Sequence, residues 1–199
     1  MKYFNYCYMA SLMALTTVHA AVNTKDPAPE FIVSDSIGVE HRLTDFKGRY
    51  VVLEWTRHDC PFVVKHYQHG DMQALQEKLT AAGVVWLQIA SSARGKPGYL
   101  SAPEAEAMRR QTAAQSTALL LDTSGEIGRA YNARTTPHMF LINPEGILIY
   151  QGAIDSMSSV HSSDISQATN YLKAAYESAI AGEPIENSTT TPYGCSVKY

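Results

Sequence analysis

Cys60 stands directly before Pro61, at the end of the run Val51-Val52-Leu53-Glu54-Trp55-Thr56-Arg57-His58-Asp59-Cys60-Pro61-Phe62-Val63. Proline suits the first position of a helix, where its missing N–H is not needed and its fixed φ is already helical. Cys60 is therefore expected at the mouth of a helix, where unpaired N–H groups and the helix dipole favour negative charge. A thiol so placed loses its proton more easily, and the thiolate is the nucleophile. The chemistry this offers is attack on a disulfide or a peroxide, giving a mixed disulfide or a sulfenic acid. Asp59 opposes the anion, while Arg57 and Lys65 offset that opposition.

Two further cysteines, Cys7 and Cys195, lie near the chain ends. Cys195 follows a glycine in the polar segment Tyr193-Gly194-Cys195-Ser196-Val197-Lys198-Tyr199. The region around Cys60 is rich in histidine, with His58, His66 and His69, and His138 follows Pro137. A thiolate with imidazoles is a donor set for copper or zinc if Cys60, His58 and His138 converge. Against this stands the reading that the histidines tune the thiol or lie on a solvated face. Trp55 and Phe62 flank the cysteine, and core packing is the default for both.

The elements that must position these residues follow from hydropathy. Tyr50 to Trp55 reads as a central strand, and a helical stretch runs from Cys60 to about Ala82, interrupted at Gly70-Asp71. Met72, Leu75, Leu79 and Ala82 form its core-facing stripe. Val84 to Ala90 is a buried strand. Pro103 to Gln115 is a helix, Ala118 to Leu121 a strand, and Ser124 to Tyr131 a short helix. His138 to Ile142 and Ile147 to Tyr150 form a hairpin around Asn143-Pro144-Glu145-Gly146. A last helix is expected from Asp164, as its cap, to Ala181, with Gly182 as its stop. The alternation implies an α/β fold: parallel core strands, a mixed central β-sheet once the hairpin is added, and helices on both faces. The tail from Glu183 to Tyr199 is polar and expected to be ordered only near its end.

Strand, Trp, turn, Cys-Pro, helix resembles the active site of the thioredoxin-like superfamily. The branch is the one shared by thiol-specific-antioxidant, peroxiredoxin-like proteins and exported thiol–disulfide oxidoreductases. The resemblance spans about Asp26 to Gly152. It is carried by Pro27-Ala28-Pro29-Glu30-Phe31, Leu43-Thr44-Asp45-Phe46-Lys47-Gly48, the Cys60 segment and Thr135-Thr136-Pro137-His138-Met139-Phe140-Leu141-Ile142. It implies a thioredoxin-like fold and a cis-proline at Pro137 beside the thiol. It also implies a partner groove shaped by Trp55, Pro61, Phe62, Thr136 and His138. Glu54 becomes either a buried proton acceptor beneath the thiol or a solvated edge residue, and Arg134 either a cation near the thiolate or a surface residue.

The departures from the family pattern are equally specific. The second cysteine of Cys-x-x-Cys is replaced by Val63, giving Cys60-Pro61-Phe62-Val63. In the peroxiredoxin register Pro-x-x-x-Thr-x-x-Cys, Leu53 and Arg57 stand at the proline and threonine positions. Cys195 is then the candidate resolving thiol, closing a loop whose cross-link would stabilise by about 4–5 kcal/mol on the chain-entropy model. A permanent disulfide and two independent thiols are the other readings. The expected catalytic set is Cys60, Cys195, Pro137, Arg134 and Glu54, with no cofactor and no assigned metal. The expected partners are a thiol or disulfide protein or a small peroxide, with an external reductant. A metal-carrying or partner-docking module without turnover is the alternative.

Composition limits the rest. The chain has 199 residues, 45% hydrophobic and 18% charged, with a formal net charge of −3. It has no basic run, so nucleic acid is not an expected partner. Residues 1–20 read as a signal peptide, with an apolar stretch from Met9 to Leu15 and small residues before a cleavage point after Ala20 or Ala21. That run is too short for stable membrane insertion. Residues 21–182 would then form the domain and 183–199 its tail, in an exported, periplasmic or extracellular protein where disulfides are permitted.

Overall fold

The computed structural model describes residues 22–199. The expected signal segment and Cys7 lie outside them. A small antiparallel hairpin comes first, β1 (Ile32–Ser34) and β2 (Glu40–Arg42), followed by a 3-10 turn at Leu43–Phe46. The main sheet has five strands in the order β5-β4-β3-β7-β8. These are β3 (Val51–Trp55), β4 (Val85–Ala90), β5 (Ala118–Leu121), β7 (His138–Ile142) and β8 (Leu148–Gly152). β3, β4 and β5 are parallel, and β7 and β8 add antiparallel partners, so the sheet is mixed as expected. β6 (Thr135–Thr136) lies just before β7 and pairs with β9 (Cys195–Ser196) outside that sheet.

Alternation along the strands divides the core in two. On one face Leu53, Trp55, Leu87, Ile89, Phe140 and Ile142 pack with Phe31 and Phe46 and with Ile127 of α4 (Glu126–Ala130). On the other, Val52, Trp86, Met139 and Leu141 pack under α1 (Pro61–Tyr67), α2 (Asp71–Ala81) and α5 (Tyr171–Ala181). Each large apolar side chain so buried stabilises the fold by about 1.5–3 kcal/mol relative to exposure. α3 (Ala102–Gln111) covers the β5 edge through Ala105. It starts with a capping box between Ser101 and Glu104 and ends at Gln111 rather than Gln115.

The last helix differs from the sequence expectation. Residues 162–167 form a 3-10 turn, Ala168 is extended, and α5 begins at Tyr171. Asn170, not Asp164, caps it, its side-chain oxygen accepting the Lys173 N–H at 2.9 Å. The Asp164 carboxylate is taken by the Ser159 hydroxyl at 2.5 Å. The tail also differs. From Ser188 onward it is bonded back onto the protein, first along β8, where Gln151 N donates to Ser188 O and Thr190 N donates to Gln151 O, both at 3.0 Å.

Candidate active site

β3 delivers the chain to the site and α1 receives it. Thr56 N still pairs with Ile89 O at 3.0 Å; the turn then closes with Cys60 N donating to Arg57 O at 3.1 Å. Cys60 is extended (φ −80°, ψ 119°), and Pro61 opens the helix, as the sequence required. The Cys60 carbonyl accepts the N–H groups of Val63 and Val64, each at 2.9 Å. Its thiol donates to the Thr136 carbonyl oxygen at 3.0 Å. Thr136 precedes Pro137 across a cis peptide bond, the isomer that the resemblance implied.

The tail completes the site. Cys195 pairs with Thr136 in the β6–β9 ladder, and the Thr136 hydroxyl donates to the Cys195 carbonyl at 3.4 Å. Further anchors flank this pair: Val197 N to Arg134 O at 3.0 Å, Ala93 N to Lys198 O at 2.9 Å, and Tyr199 Oη to Ala133 O at 2.6 Å. Tyr193 meets Phe62 edge-on at 5.7 Å between ring centroids. Both cysteines are free thiols. Cys60, expected to be a nucleophile, has no exposed surface, while Cys195 is partly exposed. The tail strand carrying Cys195 lies over the thiol it was expected to resolve.

The two thiols are electrically unequal. Burial pushes the Cys60 thiol up, but hydrogen bonds from the Cys195 thiol, the Thr136 hydroxyl and the N–H groups of Cys195 and Val63 outweigh it. The result lies below the ordinary cysteine value. Cys195 is pushed up to about 11, by burial first and then by its bond to Cys60 and the negative charge there. Arg57 pulls it back and Asp59 raises it. Of the two, Cys60 is therefore the thiol that gives its proton up first. Thiol–disulfide exchange makes use of such an inequality, in which one thiol of a pair is more acidic than its neighbour.

Other expected residues fall in different places. Trp55 is fully buried on the opposite face of the sheet, donating to Ser91 Oγ at 3.0 Å and packed on Tyr131 and Phe140. It belongs to the core and not to a partner groove. The signal was in the sequence: neighbouring strand residues point to opposite faces, so Glu54 and Trp55 cannot both lie under the thiol. Glu54 is the one on the Cys60 side, and it is buried rather than solvated. Its carboxylate accepts Tyr67 Oη at 2.7 Å, Trp86 Nε1 at 2.7 Å and Gln76 Nε2 at 3.1 Å. Burial holds its pKa above the usual carboxylate range despite these donors.

Arg134 reaches the site with its backbone, through Val197, while its side chain is exposed. Its charge is felt by His138. Burial pushes His138 down to about 3, so its ring is neutral; its Nδ1 accepts Arg134 N at 3.3 Å and the ring lies on Phe140. His58 is exposed and His138 is buried, and among the described residues no cluster of three or more His, Cys, Asp or Glu is arranged to hold a metal ion. The convergent copper or zinc set is therefore not formed. Pro61 is exposed at the helix start, and Phe62 contacts the tail.

A cleft of about 920 Å³ lies between α1 and α3, with His58, Val63, Tyr67, Gln88 and Met108 in its walls. Among the described residues no helix is long and apolar enough to cross a membrane.

Comparison with known proteins bears on the family and the fold. Residues 24–151 match the model of the AhpC/TSA family. Among curated proteins, the thiol-disulfide oxidoreductase ResA of Bacillus subtilis (strain 168) is 25% identical over 136 residues, 65% of this chain and 66% of the relative. The chain thus matches just under two thirds of that relative's length. Among solved structures, an uncharacterized conserved protein from Geobacillus kaustophilus superposes with TM-score 0.75 at 22% identity, over 89% of this chain and 92% of its own. A hypothetical protein from Sinorhizobium meliloti 1021 gives 0.75 at 21%, over 90% and 96%. The thioredoxin domain of a thiol-disulfide oxidoreductase from Bacteroides vulgatus gives 0.54 at 17%, over 74% and 98%. The fold is thioredoxin-like. With the family model covering everything from the segment before β1 to β8, including the strand–Cys-Pro–helix unit, the chain belongs to the AhpC/TSA family.

Proposed function

We propose that this protein is an exported thiol–disulfide oxidoreductase whose redox couple is Cys60 and Cys195. The carrying observation is their meeting at one peptide: Cys195 pairs with Thr136, whose carbonyl accepts the Cys60 thiol at 3.0 Å. Cys195 thereby occupies the chemical role of the second cysteine that Val63 replaces in the helix.

The Cys60 thiolate attacks one sulfur of a partner disulfide, R–S–S–R′. A bond forms between Cys60 and R–S, and R′–S⁻ leaves. Cys195 then attacks the Cys60 sulfur of that mixed disulfide, its proton passing to solvent or to the leaving thiolate, and R–S⁻ departs. The products are a reduced partner and a Cys60–Cys195 disulfide, which an external dithiol returns to two thiols. Because Cys60 is covered in the reduced state, entry of the partner requires the β9 strand to lift. Arg57 stands where the peroxiredoxin register has its threonine, and Cys195 pairs with Thr136 beside Cys60; both favour disulfide exchange over capture of a free peroxide.

The test is oxidation of the purified protein followed by intact-mass and peptide analysis. A disulfide linking Cys60 to Cys195, with insulin reduction abolished in Cys60→Ser, is the expected result. Hydrogen peroxide turnover without that disulfide would replace this reading by a thiol peroxidase. Neither turnover nor disulfide would leave a binding module.

A further inference from the structure

Lys65 and Asp155 are buried together, with side-chain exposures of 0% and 3%. Burying two charges costs several kcal/mol for each ion unless partners fill their remaining bonds. The partners here are specific. Lys65 Nζ donates to Met157 O at 2.9 Å and to Asp155 Oδ2 at 3.4 Å. Asp155 Oδ1 accepts Met157 N at 2.9 Å and the hydroxyl of Tyr193. His66 lies beside the pair, Nε2 3.7 Å from Asp155 Oδ2. Lys65 Nζ also sits 5.7 Å from the centre of the Tyr193 ring.

Tyr193 is thus the point at which the tail enters a buried charged cluster, and it lies two residues before Cys195. Helix α1 holds the tail twice. At its start Cys60 and Cys195 meet at Thr136; one turn on, Phe62 and Lys65 both meet Tyr193. We propose that Asp155, Lys65 and Tyr193 form a positioning anchor that fixes the register of Cys195 over Cys60. This rests on the reading of the two cysteines as a redox couple. The anchor sets the effective concentration of one thiol against the other, which in an intramolecular pair is governed by how tightly the connecting segment is held. It touches neither the partner nor the reacting sulfurs.

Tyr193→Phe tests this most cleanly, because it keeps the ring on Phe62 and removes only the hydroxyl that Asp155 accepts. Asp155→Asn is the second variant. Two quantities are measured on the full chain: the iodoacetamide alkylation rate of Cys60 in the reduced protein, and the glutathione redox equilibrium of the Cys60–Cys195 disulfide. Thermal unfolding accompanies both. In Tyr193→Phe we expect a melting temperature close to wild type and alkylation about tenfold faster. The disulfide should reduce at an about tenfold lower ratio of squared glutathione to its disulfide. Tenfold corresponds to about 1.4 kcal/mol, of the order of one hydrogen bond to a charged group.

Alkylation and redox equilibrium both within about twofold of wild type would overturn the proposal. So would faster alkylation with an unchanged redox equilibrium, since Tyr193 would then cover Cys60 without registering Cys195. Should Asp155→Asn not fold, Tyr193→Phe decides alone. If the wild type forms no Cys60–Cys195 disulfide, the redox-couple reading falls, and the alkylation rates alone decide whether Tyr193 holds the tail over Cys60.

Discussion

Gly194 lies flat against the peptide of Thr136: its φ is +137°, and a Cβ at this position would run into the Thr136 carbonyl oxygen. That oxygen is also the acceptor of the Cys60 thiol. One peptide group therefore holds the thiol on one side and sets how closely the tail approaches on the other. The residue before Cys195 must be glycine for both reasons, conformation and space.

Gly194→Ala is expected to separate the tail from β6 without unfolding the domain, since the five-stranded sheet takes nothing from β9. A strained backbone position of this kind costs on the order of 1–3 kcal/mol. Spent on opening the tail, that makes Cys60 alkylation about ten- to a hundredfold faster. Mass-spectrometric alkylation kinetics check this; a wild-type rate would show that the tail does not protect the thiol.

The two thiols should titrate apart. Alkylation of Cys60 against pH is expected to show a midpoint below the ordinary cysteine value of about 8.5. Cys195→Ala removes the thiol that bonds Cys60, so the midpoint should rise in that variant. The linkage to stability has a definite sign. The folded value of Cys60 lies below its unfolded value, so its contribution is present above the unfolded value and lost as pH falls through the folded one. Relative to Cys60→Ser, the reduced wild type should gain in urea midpoint as pH rises towards about 8.5. A flat difference across that range would contradict a depressed Cys60.

Much of this site was legible because its signals are local. Cys60-Pro61 announces a helix start within two residues, and the apolar run from His138 to Ile142 has the same ends in sequence and structure. The start of the last helix is ambiguous in the sequence because Asp164 and Asn170 are both acceptable caps. The choice fell to Ser159, which occupies Asp164, and to the extended backbone at Ala168. The tail was harder. Tyr193 finds Asp155, Gly194 finds Thr136 and Tyr199 finds Ala133, each from 38 to 66 residues away. No periodicity records such pairings. Only the glycine directly before Cys195 in a polar tail set the segment apart.

Glu54 is expected to act as the centre of a buried network rather than as the base for Cys60. Its carboxylate is occupied by Tyr67, Trp86 and Gln76; Tyr67 Oη in turn accepts from Gln76 at 2.8 Å and Gln88 at 2.7 Å. Glu54→Leu strands those donors, at a cost of about 1–3 kcal/mol for each buried group left unpaired. Urea denaturation should show a lower midpoint, while the pH midpoint of Cys60 alkylation in the milder Glu54→Gln stays at the wild-type value. A shifted alkylation midpoint in Glu54→Gln would instead make the carboxyl part of the thiol's proton path.

Tyr199 provides the last check on how the tail is held. Its ring lies against Gly125 and Gly128, where a Cβ on either glycine would collide with it. The Arg129 guanidinium stands 4.9 Å from the ring centre, and the hydroxyl donates to Ala133 O at 2.6 Å. Gly128 is helical and buried, so Gly128→Ala strains no backbone angle and favours the helix; its expected effect is to expel the tyrosine. Tyr199→Ala and Gly128→Ala should therefore act alike, raising Cys60 alkylation by a few-fold, less than Gly194→Ala because β9 still pairs with β6. Combining the two should add little, since both remove one contact. Additive effects in the double variant would mean that Tyr199 and Gly128 support the tail by separate routes.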